Sequence, residues 1–277
     1  MRSTICPRGF REFRNVADRA EKDVPGGCTG GQKFGIMGYE IDVKDARLVA
    51  ARRVMTEVTM GRLVTKQDLE RAQERMRARR GQEFDLLREI ILARPQNGGA
   101  AVADIAIKVA AVDVVGATHL SSAQDSFFLH GLSEIIRDTE DVDGRIARGD
   151  VSVVSEIARR GREAFGYNPF PFVTKYCCFH NRFLHGRDDY STYDNRVQLW
   201  LLGFYREEKQ GRVDANKVCK TCDYGLFNER MGKVIAECGL GGVPNVREKL
   251  NTYIYVLAAD ADAEARKNQQ AARPSRA

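Results

Sequence analysis

Two residues nineteen positions apart, Lys175 and Asp194, place a nucleophile and a carboxylate close together in the sequence. Lys175 adjoins an apolar helix face whose members, spaced by four, three and four residues, are Phe172, Tyr176, Phe179 and Phe183. A lysine at the margin of such a face is partly desolvated, and desolvation makes its amine a better nucleophile. Lys175 is therefore a candidate catalytic residue.

Asp194 directly precedes the helical pattern "NRVQLWLLGFY", in which Val197, Trp200, Leu201 and Phe204 form one apolar stripe. An aspartate in this position caps the helix, because its carboxylate accepts hydrogen bonds from the free backbone amides of the first turn. The positive end of the helix also keeps the carboxylate ionised. Asp194 is thus suited to stabilising a positive charge that develops during a reaction.

The elements that must position these two residues are predicted to be helices, because strand patterns in the chain are few and short. Thr65 and Asp68 stand in capping-box positions before one helix, and a second helix is predicted from Gln82 to Ala93. Asp150 is predicted to cap the helix in "VSVVSEIARRGREAF". The predicted fold class is all-α.

The order of a helix with a lysine, a loop, and an aspartate capping the next helix resembles the helix-hairpin-helix DNA glycosylase superfamily. The segments that carry the resemblance are "KVAAVDVVGATHL", "VDGRIARGDVSVVSEIA", "KYCCFHN" and "YSTYDNRV", with a weaker match in "EKLNTYIYVLAAD". They are similar to a divergent prokaryotic branch of the superfamily. Some glycosylases of prokaryotic antiviral defence remove modified bases from phage DNA, and that role is one expectation for this chain.

The resemblance implies a DNA glycosylase that flips a modified or damaged base and leaves an abasic site. No cofactor is predicted. It implies that Lys175 attacks the sugar C1′ or orients a water, while Asp194 supports an oxocarbenium-like transition state. The candidates for contacts with the base are Tyr176, Phe179, His180, Asn181, Tyr190 and Tyr193.

The resemblance also implies a two-lobed helical fold with a central cleft, in which Lys175 and Asp194 meet at the seam. The predicted division is a flexible arm (residues 1–34), one lobe (35–99 with 189–266), a middle lobe with a hairpin-like element (100–188) and a disordered tail (267–277).

One part of the superfamily's pattern is replaced. The superfamily's hairpin carries an apolar–Pro–Gly–x–Gly turn whose backbone amides bind a DNA phosphate, whereas this chain has "GYNPFPFVTK" there. Pro169 and Pro171 have no N–H, so the phosphate contact is expected to be altered. The basic run "RRGR" just before it supplies the candidate contacts to the DNA backbone, Arg159, Arg160 and Arg162.

A zinc site is the competing interpretation of the same region. Two groups of possible ligands are present, Cys177, Cys178, His180 and His185 in the first and Cys219 and Cys222 in the second. However, adjacent residues of one helix point about 100° apart, so two such cysteines rarely bind one ion together. Metal ligands are therefore not predicted.

The net charge of +6 permits a nucleic-acid partner, here DNA. The first predicted helix carries a basic stripe of Arg71, Arg75 and Arg79. Arg62, Lys66, Arg77 and Arg80 extend this stripe, and interrupting acidic residues favour a solvated face over phosphate contact. No run of eighteen apolar residues and no apolar signal-peptide core occur, which predicts a cytoplasmic protein without a membrane span.

Two other functions fit the same sequence. One is a catalytically inactive nucleic-acid-binding module on the same scaffold. The other is a zinc-stabilised helical domain that binds a protein partner.

Overall fold

A computed structural model of the protein describes residues 35–36, 39–40, 63–118, 120 and 127–271. In these ranges the fold is all-α, as predicted, apart from a two-residue antiparallel pair, β1 (Gly35–Ile36) and β2 (Tyr39–Glu40). The helices are α1 (Lys66–Leu92), α2 (Val102–Gly116), α3 (Phe127–Arg137), α4 (Val142–Arg148), α5 (Ser152–Phe165), α6 (Phe170–His185), α7 (Asn195–Phe204), α8 (Lys209–Thr221), α9 (Tyr224–Glu237) and α10 (Val246–Ala271), with a short 3₁₀ turn at Asn97–Gly99.

The predicted capping box of Thr65 and Asp68 is confirmed. At the start of α1, the Asp68 amide donates to Thr65 Oγ1 at 3.2 Å, and the Thr65 amide donates to Asp68 Oδ2 at 3.1 Å. Before α5 the N-cap is Val151, one residue after the predicted position, while Asp150 Oδ1 accepts a hydrogen bond from the Ser152 amide at 2.9 Å. These hydrogen bonds satisfy backbone donors that have no partner inside the helix.

The predicted start of a second helix at Gln82 is wrong, because α1 continues through Gly81 as one helix of 27 residues. A glycine inside a helix costs about 1 kcal/mol relative to alanine. Burial on both sides of Gly81 offsets this cost, since Leu69 before it and Leu87 after it are fully buried. Packing along the whole length of α1 therefore holds the helix together.

Helix α6 lies at the centre of the fold and packs against α1, α2, α4 and α5. Every residue from Phe170 to Asn181 is buried. This helix is covered on all sides, whereas an amphipathic helix at a surface buries one stripe. Polar side chains of α6 must therefore find partners inside the protein or at a cavity.

Helix α10 packs along α1 and also contacts α7. Asp260 of α10 forms an ion pair with Arg75 of α1 at 2.5 Å. Because α10 reaches Ala271, the predicted disordered tail is helical over its first five residues. Residues 272–277 and the predicted arm, residues 1–34, lie outside the described residues.

All described residues belong to one compact unit that begins at Gly35. Its division into two lobes stays a prediction. Within the described ranges, no helix combines the length and the apolar character needed to cross a lipid bilayer.

Candidate active site

Lys175 and Asp194 are in contact, as their proposed joint role requires. Lys175 Nζ donates to Asp194 Oδ2 at 3.2 Å and to the backbone carbonyl of Gly116 at 2.8 Å. The lysine side chain is 10% exposed and the aspartate side chain 21%. Helix α6 supplies the amine and the start of α7 supplies the carboxylate, so two packed helices set the distance between them.

The two oxygens of Asp194 have different partners. Oδ1 caps α7, accepting from the amides of Arg196 at 2.9 Å and Val197 at 3.0 Å. Oδ2 is left to Lys175. Burial raises the pKa of the Asp194 carboxyl, but the Lys175 charge, the amide of Val197 and the charge of Arg196 together hold this pKa below its ordinary value. The carboxylate is therefore ionised at neutral pH.

Both residues line a cavity of about 320 Å³. Its walls come from α1, the end of α2, α6, the start of α7 and α10. Ligand sites in proteins have volumes from about 300 Å³ upward and combine apolar walls with a few polar groups. The cavity is large enough for one planar ring system beside the ion pair.

One wall of the cavity is aromatic. Phe84 of α1 meets Phe179 of α6 edge to face, with ring centres 5.9 Å apart. Phe183 lies parallel to Phe179 at 5.8 Å. On the side of α10, the Arg196 guanidinium lies 4.9 Å from the ring centre of Tyr255. These rings offer flat apolar faces on which a planar ligand could stack.

The charged side chains that line the cavity are mostly basic. It contains three acidic side chains, Asp85, Asp194 and Glu248, against six basic ones, Arg77, Arg80, Arg88, Lys175, Arg182 and Arg196. Such an excess of positive charge attracts an anionic ligand.

Most of these basic groups already have partners. Arg182 pairs with Glu248 at 3.0 Å, and Arg80 donates to the Val115 carbonyl at 2.9 Å. Arg77 and Arg88 are exposed and form no hydrogen bond or ion pair with any residue that the structure describes. They are eleven positions apart, three helical turns, and so lie on the same face of α1.

Comparison with known proteins gives one partial match. Residues 66–184 match a family model described as HI_0787_N, an N-terminal domain. The matched range runs from α1 to α6 and contains Lys175, but it stops before Asp194. No curated protein and no solved structure matches the chain.

Of the six predicted base contacts, Phe179 lines the cavity. The other five are each 1% exposed or less and lie in the core: Tyr176, His180, Asn181, Tyr190 and Tyr193. The spacing of apolar residues along α6 could not show which side chains face the cavity and which face the core, because this helix is buried on every side.

The side chains of Tyr176, Asn181 and Tyr190 make hydrogen bonds that join separate elements of the core. Tyr176 donates through its hydroxyl to Asn97 Oδ1 at 2.8 Å. Asn181 donates to the Ile146 carbonyl at 2.8 Å, and Tyr190 donates to the Asp150 carbonyl at 3.0 Å. Because these side chains lie in the core and bond to other elements, they hold α6 and the loop after it in place.

The buried His180 also belongs to this group. Its Nδ1 lies 2.8 Å from the Tyr176 carbonyl, and its ring stacks on Tyr176 with centres 3.9 Å apart. Burial, reinforced by the charge of Lys108, lowers the pKa of His180 to about 3. The ring is therefore neutral at physiological pH.

The predicted DNA-backbone residues on α5 have differing surroundings. Arg160 donates to Thr139 Oγ1 at 3.0 Å, and Arg162 donates to the Lys220 carbonyl at 2.6 Å. Arg159 is exposed. At the start of α6 the Phe170 amide donates to Asn168 Oδ1 at 3.1 Å, so this amide is occupied within the protein.

Metal binding finds no support in the described part of the chain, where no group of three or more His, Cys, Asp or Glu side chains is placed to hold an ion. Burial raises the pKa of the Cys178 thiol to about 11 and raises that of Cys177 further. Thiols of this kind are poor ligands, because a metal binds the thiolate. The side chain of Cys219 lies outside the described residues.

Sequence reasoning missed the walls of the cavity that come from α1 and α10. Phe84, Asn251 and Tyr255 line it, although they stand 76 to 91 positions from Lys175. Their local patterns are those of ordinary amphipathic helices. Only the packing of α1 along α10 brings them to the site.

Proposed function

We propose that the protein is a DNA glycosylase that cleaves the N-glycosidic bond of a flipped modified or damaged base and leaves an abasic site. The observation that carries the proposal is the contact between Lys175 and Asp194 at the wall of a cavity. The resemblance to the helix-hairpin-helix superfamily rests on the same two residues. The cavity adds an aromatic wall and a basic lining, which suit a base and its phosphates.

Asp194 stabilises the transition state. As the C1′–N bond breaks, its electron pair leaves with the base and positive charge builds on the sugar. Asp194 Oδ2 faces Lys175 and not the amides of α7, so this oxygen is available to the developing charge. The fixed position of the carboxylate lowers the cost of reorganisation during the reaction.

Lys175 completes the reaction in one of two ways. Either its amine attacks C1′ or it orients a water molecule that adds to C1′. In the first route the ammonium group must first lose a proton, and Asp194 Oδ2 at 3.2 Å is within reach to pass this proton to the departing base. The C1′–O4′ bond then opens, with a proton moving from the lysine nitrogen to O4′, and a protonated Schiff base results. In the second route, the proton that the water loses goes to the departing base.

DNA is the proposed partner, and α1 is its proposed contact. Arg77 and Arg88 flank the cavity without partners among the described residues, whereas Arg75 and Arg79 are held by Asp260. Arg77 and Arg88 can therefore bind phosphates on either side of a flipped nucleotide. This contact would replace the hairpin amides that Pro169 and Pro171, at the start of α6, cannot supply.

The proposed setting is the cytoplasm, and the proposed role is defence against phages whose DNA carries modified bases. A cavity of about 320 Å³ leaves room for a base with an added substituent. The role itself rests on the resemblance to prokaryotic defence glycosylases.

A panel of DNAs carrying different modified bases tests the activity, with abasic sites as the readout. Wild type is expected to form abasic sites on at least one DNA, and Asp194→Asn to lose activity by about 100- to 1000-fold. Asp223→Asn is the matched control, because Asp223 caps α9 through the Leu226 amide but does not line the cavity. Equal product from wild type and Asp194→Asn would overturn the mechanism.

Borohydride trapping separates the two roles of Lys175. A covalent protein–DNA adduct with wild type that is lost in Lys175→Met identifies the amine as the nucleophile. Abasic sites without an adduct identify water as the nucleophile. DNA binding without abasic sites on any substrate would instead support the inactive nucleic-acid-binding module.

The DNA contact is tested by the salt dependence of binding. The double variant Arg77→Gln/Arg88→Gln is expected to bind duplex DNA more weakly and to lower the slope of log K against log salt by about 2. Arg75→Gln/Arg79→Gln is the control on the same helix, since both arginines pair with Asp260. Equal salt slopes for the two double variants would show that Arg77 and Arg88 of α1 do not contact the DNA.

A further inference from the structure

Asn251 of α10 is an unusual feature of the cavity wall. Both polar atoms of its carboxamide, Nδ2 and Oδ1, are buried, and neither has a hydrogen-bond partner among the described residues. Buried amide groups in proteins are almost always hydrogen-bonded, because leaving them unpaired is costly. Asn251 also lines the cavity, so a change of its side-chain rotamer would present the unpaired carboxamide to a ligand there.

Its neighbours do not satisfy it. Glu248, one turn earlier on α10, pairs with Arg182 of α6 at 3.0 Å. Tyr255, one turn later, lies under the Arg196 guanidinium. On α10 the carboxamide thus stands between a residue held in an ion pair and a residue held in a cation–π contact, and its own donor and acceptor are unused.

A second observation comes from the opposite helix. Gln73 of α1 also lines the cavity, and its Nε2 is buried without a hydrogen-bond partner in the described ranges. Helices α1 and α10 pack against each other. Two side chains that line the same cavity from facing helices therefore carry buried hydrogen-bonding groups without a partner among the described residues.

A carboxamide suits one kind of ligand in particular. Its donor and acceptor lie side by side in one plane, so it pairs with a planar group that has an acceptor beside a donor. Nucleobases carry such pairs along their edges, and asparagine or glutamine recognises them by two parallel hydrogen bonds. The rings of Phe84 and Phe179 can cover the face of the same base.

We propose that Asn251, assisted by Gln73, reads the hydrogen-bonding edge of the flipped base. This inference rests on the proposed glycosylase function and names its substrate class, a base with a free donor next to a free acceptor. Bases whose edge is blocked by alkylation leave the carboxamide unpaired and are disfavoured. Asn251 is thus a specificity-determining residue, separate from the pair that acts on the sugar.

The test compares wild type with Asn251→Leu, which removes both polar atoms at similar size. Excision of bases with a free donor–acceptor edge is expected to fall on the order of 10- to 100-fold. Affinity for DNA with a tetrahydrofuran abasic analogue is expected to stay within about twofold, because that DNA has no base to read. Asn228→Leu is the control, since Asn228 Oδ1 is also buried without a partner in the described chain but does not line the cavity.

A second variant, Asn251→Asp, keeps the shape and replaces the donor with a second acceptor. Its relative rates are expected to shift toward bases that present two neighbouring donors, as the edge of guanine does. This shift of preference remains measurable if the leucine variant folds poorly.

The outcomes separate this inference from the proposed function. If wild type forms abasic sites and both Asn251 variants match its rates on every base, the edge-reading role is refuted and the glycosylase stands. The role is equally refuted if Asn251→Leu weakens binding of the abasic analogue as much as it slows excision, because the residue then acts on the fold. If wild type forms no abasic site on any DNA, the glycosylase proposal fails and this role fails with it.

Discussion

Two lysines of this protein are buried to a similar extent, but Lys108 lies in the closed core and Lys175 lines a cavity. Lys108 is 1% exposed, and its Nζ donates to the Pro95 carbonyl at 2.9 Å and to Asn97 Oδ1 at 2.5 Å. Lys175 likewise donates to one backbone carbonyl and one side-chain oxygen. Burial and the number of hydrogen bonds therefore do not distinguish the two.

The two lysines differ in the charge of the side chain that accepts their second hydrogen bond, and in whether a ligand can reach them. Asn97 is neutral and also binds Tyr176 and Asp143, so Lys108 belongs to a closed network in the core. Burial lowers the pKa of Lys108 despite the charges of Asp143 and Asp104. Lys175 faces an ionised carboxylate and a cavity. A buried lysine is thus a candidate for catalysis when it lines a cavity beside a charged group.

The largest expected difference between the two lysines is in activity. Lys175→Met is expected to lower abasic-site formation by at least about 100-fold, because it removes the group that attacks or orients water at C1′. Lys108→Met is expected to keep the rate per folded molecule within about threefold. Rates on one DNA, corrected for the folded fraction, check this. Comparable losses in both variants would mean that the cavity position of Lys175 has no special role.

For the free energy of unfolding, Lys108→Met is expected to cause the larger loss and Lys175→Met the smaller one, the reverse of the order for activity. Lys108→Met leaves the Pro95 carbonyl without its donor in a closed core and should cost about 1–3 kcal/mol. Lys175→Met should cost less, because water in the cavity can solvate Asp194, which also keeps its two amide donors. Urea denaturation of both variants provides the measurement. A greater loss at Lys175 would contradict the comparison.

The charge of Asp194 predicts a pH dependence at the acidic end. Its folded-state pKa lies below the ordinary value of 3.8, so its contribution to stability is present above that value and is lost as pH falls through the folded pKa. The stability difference between wild type and Asp194→Asn should therefore shrink below about pH 4. Unfolding curves at several pH values check this. A difference that stays constant down to pH 2 would show that the charge contributes nothing.

The smallest expected effect comes from two glycines that line the cavity. A Cβ at Gly116 would stand 3.2 Å from Lys175 Cδ, so Gly116→Ala should displace the amine and lower activity a few-fold. A Cβ at Gly81 would stand 3.4 Å from Arg77 Cγ, an ordinary contact. Gly81→Ala should instead stabilise α1 by about 0.5–1 kcal/mol with unchanged activity. Similar activity in both variants would show that Lys175 tolerates displacement.

Much of the local structure could be predicted because it depends on neighbouring residues. The capping box of Thr65 and Asp68 and the cap formed by Asp194 require only a side chain and the amides that follow it. The all-α class follows from the period of the apolar positions. The continuation of α1 through Gly81 could not be predicted, since packing of distant residues offsets the local cost of a glycine.

The sequence by itself determined the all-α class, the caps formed by Thr65 and Asp194, and the two residues of the candidate pair, because these depend on spacing along the chain. Only the tertiary structure decided which buried polar groups are closed off and which face a cavity. Tyr176 and Lys175 are adjacent in α6, yet one bonds to Asn97 in the core and the other to Asp194 at the cavity. Asn251 reaches the same cavity from α10. The physical reason is that burial and access depend on how distant helices pack, which the sequence of one segment does not contain.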